Sequence, residues 1–174
     1  MLSDGAANSD MTNSIQTPPT PVRRYLALAG WLLLCFAAAS FGGFFMPGEW
    51  YAALKKPSWN PPGWVFGPVW SALYTMMAVA AWLVWKRGGF AAQRRPLTIF
   101  LVPLTLNAVW TPLFFGLHWT GVAFAKIVLL WLAIAATIAA FRPVSRAAAG
   151  LLVPCLAWVS FASVLNFALW RLNS

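Results

Sequence analysis

Acidic side chains are almost missing from this chain: Asp4, Asp10 and Glu49 are the only three in 174 residues. Nowhere do two of them stand close enough to a hydrophobic segment to form the paired carboxylates of acid–base catalysis or a proton relay. There is one histidine, His118, and there are two cysteines, Cys35 and Cys155. That set offers no His/Cys metal cluster. Both cysteines fall inside apolar runs, so no disulfide framework is expected either. A glycine-rich phosphate loop is also lacking. What the chain has is apolar and aromatic: 61% hydrophobic residues, 9% charged, 12 tryptophans and a mean hydropathy of +0.71. A soluble domain of this length does not carry that composition. The net charge of +9 would suggest nucleic acid in a soluble protein. Here the cations sit at the ends of apolar runs, which is a pattern of membrane topology and excludes a nucleic-acid partner.

Several runs reach the roughly 20 residues needed to cross a bilayer. The predicted spans are 25–46, 65–85, 97–117, 121–141 and 147–170, giving an all-α fold, an integral membrane five-transmembrane-helix bundle over residues 23–174. Residues 1–22 are polar and carry Pro18, Pro19 and Pro21, the mark of a disordered tail. Arg23 and Arg24, a short apolar core and Ala37-Ala38-Ala39 also fit a cleaved leader. The apolar run continues past Ala39 through Phe41, Phe44 and Phe45, which favours a full span. Lys86 to Pro96 reads as a loop, and Pro103 and Pro112 lie inside the third span, where neighbours must re-satisfy the freed carbonyls. His118 and Trp119 leave only a very short turn, so spans three and four are antiparallel neighbours. Arg171-Leu172-Asn173-Ser174 remains as a stub.

One side of this arrangement carries Arg23, Arg24, Lys86, Arg87, Arg94, Arg95, Arg142 and Arg146; the other has Lys55, Lys56 and Arg171. The bias places the N-terminus in the cytoplasm, and the C-terminus and first loop on the opposite face. Lys126, near the start of span four, can snorkel outward and is given no role.

The long connection between spans one and two is unlike an ordinary loop. It runs Trp50-Tyr51-Ala52-Ala53-Leu54-Lys55-Lys56-Pro57-Ser58-Trp59-Asn60-Pro61-Pro62-Gly63-Trp64. Pro57, Pro61 and Pro62 fix φ, and Asn60 and Pro61, each preceding a proline, are pushed away from the α region. Large rigid aromatic faces on such a segment could form a lid over the helices, or an interfacial aromatic belt with two snorkelling lysines. Within the spans, Trp70, Tyr74 and Met77 share one helical face, as do Asn107, Trp110 and Phe114, and Trp158, Ala162, Leu165 and Asn166. An amide in hydrocarbon needs partners, so Asn107 and Asn166 should face the bundle interior. Three faces each bearing a tryptophan suit a cavity for a flat apolar ligand, and helix packing alone would produce the same pattern.

These residues closely resemble the translocator protein family, also called tryptophan-rich sensory proteins. The resemblance is carried by Trp50-Tyr51, Leu54, Lys56-Pro57-Ser58-Trp59-Asn60-Pro61-Pro62-Gly63-Trp64, Gly67-Pro68-Val69-Trp70 and Leu73-Tyr74. It continues in Leu106-Asn107, Trp110, Phe114-Phe115-Gly116, Pro154, Leu156-Ala157-Trp158, Phe161-Ala162, Leu165-Asn166 and Trp170-Arg171, covering about residues 24–173. The resemblance implies a five-helix bundle, usually a homodimer. It also implies binding of porphyrins such as protoporphyrin IX and haem, and in many members of sterols and benzodiazepine-type drugs. No cofactor is required; the porphyrin or haem is the ligand, held between the helices beneath the first loop. By resemblance Trp50 and Trp59 would line the lid, Trp110 with Asn107 the pocket wall, and Trp158, Ala162 and Leu165 its fifth-helix side, with Trp70 and Tyr74 as further candidate ligand-binding residues. Some bacterial relatives degrade protoporphyrin in light, and the two tryptophans tied to that chemistry match Trp70 and Trp158.

The departures weigh against sterol. Phe167 stands before Arg171 where the family's sterol pattern has a tyrosine, and Cys155 follows Pro154 where tyrosine is usual. Pro103 replaces a common glutamine, and Lys126 stands where an acid is frequent. The reading is therefore a membrane receptor or sensor for porphyrins. The alternatives are a light-dependent protoporphyrin-degrading enzyme and a transporter of porphyrin or of sterol or lipid. Five spans without an internal repeat count against a repeat-type transporter. The orientation is testable. Lys55→Cys and Ser174→Cys, in a background lacking Cys35 and Cys155, should both react with a membrane-impermeant thiol reagent in intact cells. Thr12→Cys should not, and its labelling would invert the topology.

Overall fold

The computed structural model describes residues 20–45 and 48–174. The expected tail up to residue 19 and the expected end of the first span at Met46 lie outside them. Among the described residues the chain is helical with no strand, and five segments are long and apolar enough to cross a membrane.

Helix α1 is Pro21–Gly43 and starts two residues inside the expected tail. Pro21 occupies its first turn, where a missing N–H costs nothing and the fixed φ already suits a helix. The first loop is not wholly irregular: Glu49–Ala53 form a one-turn helix, α2, and Gly63–Val65 a 3₁₀ turn leading into α3, Phe66–Trp85. Helix α4, Gly89–Thr111, begins eight residues before the expected third span. The loop expected over Lys86–Pro96 is thus a tight turn, made by Gly88 at φ 113° and Gly89 at φ 68°. The signals read as loop are real but local. Gln93 (φ −115°, ψ 28°) interrupts the helix and its Nε2 donates to the Arg87 carbonyl at 3.0 Å. Pro96 then falls in the first turn after the break, a position that needs no N–H.

Pro112 opens a wide π turn, Pro112–Gly116, closed by the Leu117 N–H on the Pro112 carbonyl at 2.9 Å. After His118, the one non-glycine residue with positive φ (58°) among those described, α5 runs Thr120–Phe141. The fifth span is two rods: α6, Arg146–Leu151, and α7, Val153–Leu172, with Leu152 between them and Pro154 in α7's first turn. Ser145 caps α6 by accepting the Ala148 N–H.

Packing makes a ring. α1 lies against α3 and α4, α4 against α5, and α5 against α7, while α6 rather than α7 makes most of the closure onto α3. Lipid tails are as apolar as the helices, so association depends on close backbone approach and internal pairing of polar groups. Ala78, Ala80 and Ala81 are fully buried on α3. The hydroxyls of Ser71, Thr75, Thr105 and Thr137 each donate to the carbonyl one turn earlier, so none needs water. At Gly121 a Cβ would meet the Trp170 ring at 3.3 Å, which brings the start of α5 onto the end of α7; at Gly30 it would meet nothing within 4 Å. Gly121→Leu should therefore destabilise the protein by ~1–3 kcal/mol, the scale of overpacking. Gly30→Leu should not, as read by melting both variants in detergent.

Candidate functional site

The first loop folds back as a lid, and each of its parts is anchored. Trp50 of α2 stacks on His118 at 4.0 Å with planes 16° apart, and meets Phe114 edge-on at 5.8 Å. Tyr51 packs edge-on against Phe115 at 5.4 Å. The Tyr51 hydroxyl donates to Asn60 Oδ1 at 3.3 Å, joining the two halves of the loop. Burial raises the pKa of this phenol above its usual value, which keeps it in the donating form. The Lys56 ammonium donates to the Ala52 and Leu54 carbonyls at 2.9 and 3.2 Å, satisfying the open end of α2. Lys56 also lies over the Tyr51 ring at 4.8 Å.

The supposed stub completes the lid. Asn173 Oδ1 accepts the Lys55 N–H at 2.9 Å, and its Nδ2 donates to the Lys55 carbonyl at 3.0 Å and the Leu169 carbonyl at 2.8 Å. One side-chain amide thus pairs the loop backbone as a neighbouring strand would. The first loop and the end of α7 consequently share one end of the bundle. Trp59, 46% exposed, rests edge-on against Phe161 of α7 at 5.9 Å.

Beneath the lid the expected wall residues fall into two connected clusters. In one, Trp110 stacks on Phe114 at 5.0 Å and 13°, with Leu165, Trp50 and Tyr51 packed around the same ring. The π turn carries Phe114 and Phe115, so the helix irregularity supplies this cluster's centre. In the other, Asn107 Nδ2 donates to the Tyr74 hydroxyl at 3.0 Å, a buried bond between α4 and α3. Trp70 packs on Tyr74 at 5.7 Å, and Ala162 lies half-buried against this core.

Trp158 faces a different space. An open apolar groove of ≈ 480 Å³ runs between α3 and α7. Val69, Ala72, Leu73 and Met76 form one bank, and Pro154, Ala157, Trp158 and Phe161 the other. Its volume is that of an ordinary small-molecule site. Trp70 is not among the lining residues, so the two tryptophans paired by resemblance point into different surroundings. Phe66 closes the outer end by meeting Trp158 edge-on at 5.9 Å. Phe167 lies on another side of α7, against Phe124 of α5 at 5.3 Å, and Arg171 is exposed. Among the described residues four buried side-chain polar atoms have no partner among the protein's own groups: Trp110 Nε1, Trp158 Nε1, and both amide atoms of Asn166, a residue only 2% exposed.

Sequence reasoning missed two residues of the lid. His118 was only a turn residue, and no periodicity connects it to Trp50, 68 positions away. Asn173 offered a weak signal, a capping-type amide at a helix end. No group of three or more His, Cys, Asp or Glu that could hold a metal occurs among the described residues.

Residues 31–171 match the TspO/MBR family. The chain belongs to that family. It is 47% identical over 137 residues to the human translocator protein, covering 76% of this chain and 81% of the relative. With the tryptophan-rich sensory protein of Cereibacter sphaeroides it shares 41% identity over 142 residues, 82% and 88% of the two chains. Protein CrtK of Rhodobacter capsulatus is 40% identical over 149 residues, 83% and 91%. This TspO/MBR chain is accordingly an integral, multi-pass membrane protein. Its lid gives a direct prediction: Asn173→Ala removes both bonds to Lys55, so the Lys55 amide should exchange with solvent at least about tenfold faster, a loss of ~1.4 kcal/mol of protection. An unchanged rate would mean that the remaining lid contacts suffice alone.

Proposed function

We propose that this TspO/MBR protein is a membrane receptor or sensor that binds porphyrins, protoporphyrin IX or haem, in the tryptophan-lined cleft under the first loop. The observation that carries the reading is the open apolar groove of ≈ 480 Å³ with Trp158 on its wall, in a bundle that also buries unpaired polar atoms of Trp110, Trp158 and Asn166. Each buried unpaired group costs ~1–3 kcal/mol, a cost that a ligand with matching polar atoms removes. A porphyrin joins a flat apolar face, which stacks on indole, to ring nitrogens and two carboxylates. For the carboxylates, Lys55 and Arg171 are exposed at the lid end, whereas Lys56 is engaged with the carbonyls of α2. Haem would be held by the same walls, with iron supplying redox chemistry of its own. A homodimer fits the family resemblance, and the charge bias supports a cytoplasmic N-terminus with the lid on the opposite face.

Light-dependent degradation of protoporphyrin is the second reading, favoured by Trp158 on the groove wall, where an oxidisable indole would touch the macrocycle. Trp70 packs on Tyr74 instead, which favours a sensor over a two-indole reaction. Sterol is the weaker ligand class, because Phe167 carries no hydroxyl and faces Phe124 rather than the groove.

Titrating purified protein with protoporphyrin IX separates these readings. Trp158→Ala should weaken binding by ~1–3 kcal/mol, the loss of an aromatic anchor. Trp64→Ala, 76% exposed on the lid, should leave affinity intact. A sensor should bleach the porphyrin band in light no faster than detergent alone. An enzyme should bleach it faster, and Trp70→Phe and Trp158→Phe should lose rate while keeping most affinity.

A further inference from the structure

We infer that the ligand of this cleft enters and leaves sideways through the seam between α3 and α7, from the hydrocarbon of the bilayer, while the first loop stays shut. The inference takes its ligand class from the function proposed above; the route itself rests on separate geometry. Toward water, the cleft is closed. The lid is held by the Trp50–His118 stack, by the Tyr51–Asn60 hydrogen bond and by the two hydrogen bonds between the Asn173 amide and the Lys55 backbone. Beneath the lid, Phe66 and Trp59 rest on Trp158 and Phe161 and close the outer end of the groove. At the inner end, α6 packs on α3. Between these two closures α3 and α7 barely touch, and the groove of ≈ 480 Å³ occupies the gap.

The gap lies at membrane depth on both banks. Val69 to Met76 are inside the second span, and Pro154 to Phe161 inside the fifth. Exposed Ala72 and Ala157, with exposed Pro154, form its rim. Small side chains there leave the opening wide, where a leucine or phenylalanine on either helix would fill it. Trp158 stands at the back, its side chain on the groove wall and its unpaired Nε1–H buried. An occupant arriving by this route must already be dissolved in the membrane, flat enough for the slot and apolar over most of its surface. Protoporphyrin IX meets those conditions, and its ring would reach Trp158 without any lid contact being broken.

The test uses the full-length protein in lipid nanodiscs, with Ala72→Phe and Ala157→Phe as rim plugs. In an otherwise wild-type background, the double plug should slow both association and dissociation of protoporphyrin IX about tenfold or more, because a narrowed route acts on both rates, whereas lost affinity would quicken dissociation. Cross-linking Lys55→Cys to Asn173→Cys with a short bis-maleimide, in a Cys35→Ala/Cys155→Ala background, should leave both rates as they are in the same variant before cross-linking. Association abolished by the cross-link, or unaltered rates in the double plug, would overturn the route. So would a weakened Kd with unaltered dissociation. A second measurement needs no porphyrin. In nanodiscs of phospholipid brominated along its acyl chains, the fluorescence contributed by Trp158, taken as the difference from Trp158→Phe, should be strongly quenched. The double plug should relieve that quenching. If Trp158 is not quenched, the seam is closed to hydrocarbon and the inference falls, whatever porphyrin does. Quenching without any porphyrin uptake would leave the side opening standing and reject the proposed ligand.

Discussion

Hydrocarbon offers a polypeptide no hydrogen-bond partner, and most features of this molecule follow from that. Every polar group within the spans has to be answered by another part of the chain. Serine and threonine hydroxyls turn back on their own helices, and Asn107 finds Tyr74 across the α3–α4 interface. Small residues make those approaches possible, as at Ala78 and Ala81 on α3 and at Gly121 against Trp170. Against such thorough pairing, the unanswered atoms of Trp110, Trp158 and Asn166 stand apart.

Much of this was legible in the sequence because two signals are strong in a membrane. Length and hydropathy separate spans from connections, and aromatic or amide residues at helical spacing mark inward faces. Tyr74, Asn107, Phe114 and Leu165 are buried as their periodicity required. Irregularities were harder to read. Lys86 to Pro96 has the glycines, charges and proline of a loop, yet a proline three residues past a helix break is compatible with helix, and α4 runs through it. The fifth span reads as one continuous run because nothing in hydropathy registers the break at Leu152. Contacts such as Trp50 with His118 and Lys55 with Asn173 join segments with no common period, so only the fold brings them together. Helical spacing also put tryptophans on three inward faces without saying that Trp70 and Trp158 meet different surroundings. That distinction depends on the relative rotation of α3 and α7, which single-helix patterns do not contain.

The lid shows how a short segment can be rigid without a core of its own. Three prolines lower the entropy lost on ordering, and aromatic faces give large contact areas for few rotatable bonds. Several of its backbone polar groups are covered by side-chain amides and an ammonium, and others by local turns such as the Asn60 N–H on the Pro57 carbonyl. Asn60, Lys56 and Asn173 each do this at a different point of the loop. Such a structure has a few discrete contacts, and discrete contacts can be removed one at a time.

The division of the fifth span at Leu152 has a mechanical meaning. The short rod, α6, packs on α3, whereas the long rod, α7, leans on α5 and leaves α3 almost free. Together α3 and α7 stand like the arms of a compass joined at the end away from the lid, with Pro154 in the first turn beyond the joint. Bilayer thickness acts on the tilt of every spanning rod. In this molecule the rod least restrained by neighbours on one flank is also an arm of the compass. A bilayer that tilts α7 would therefore change the angle between the arms.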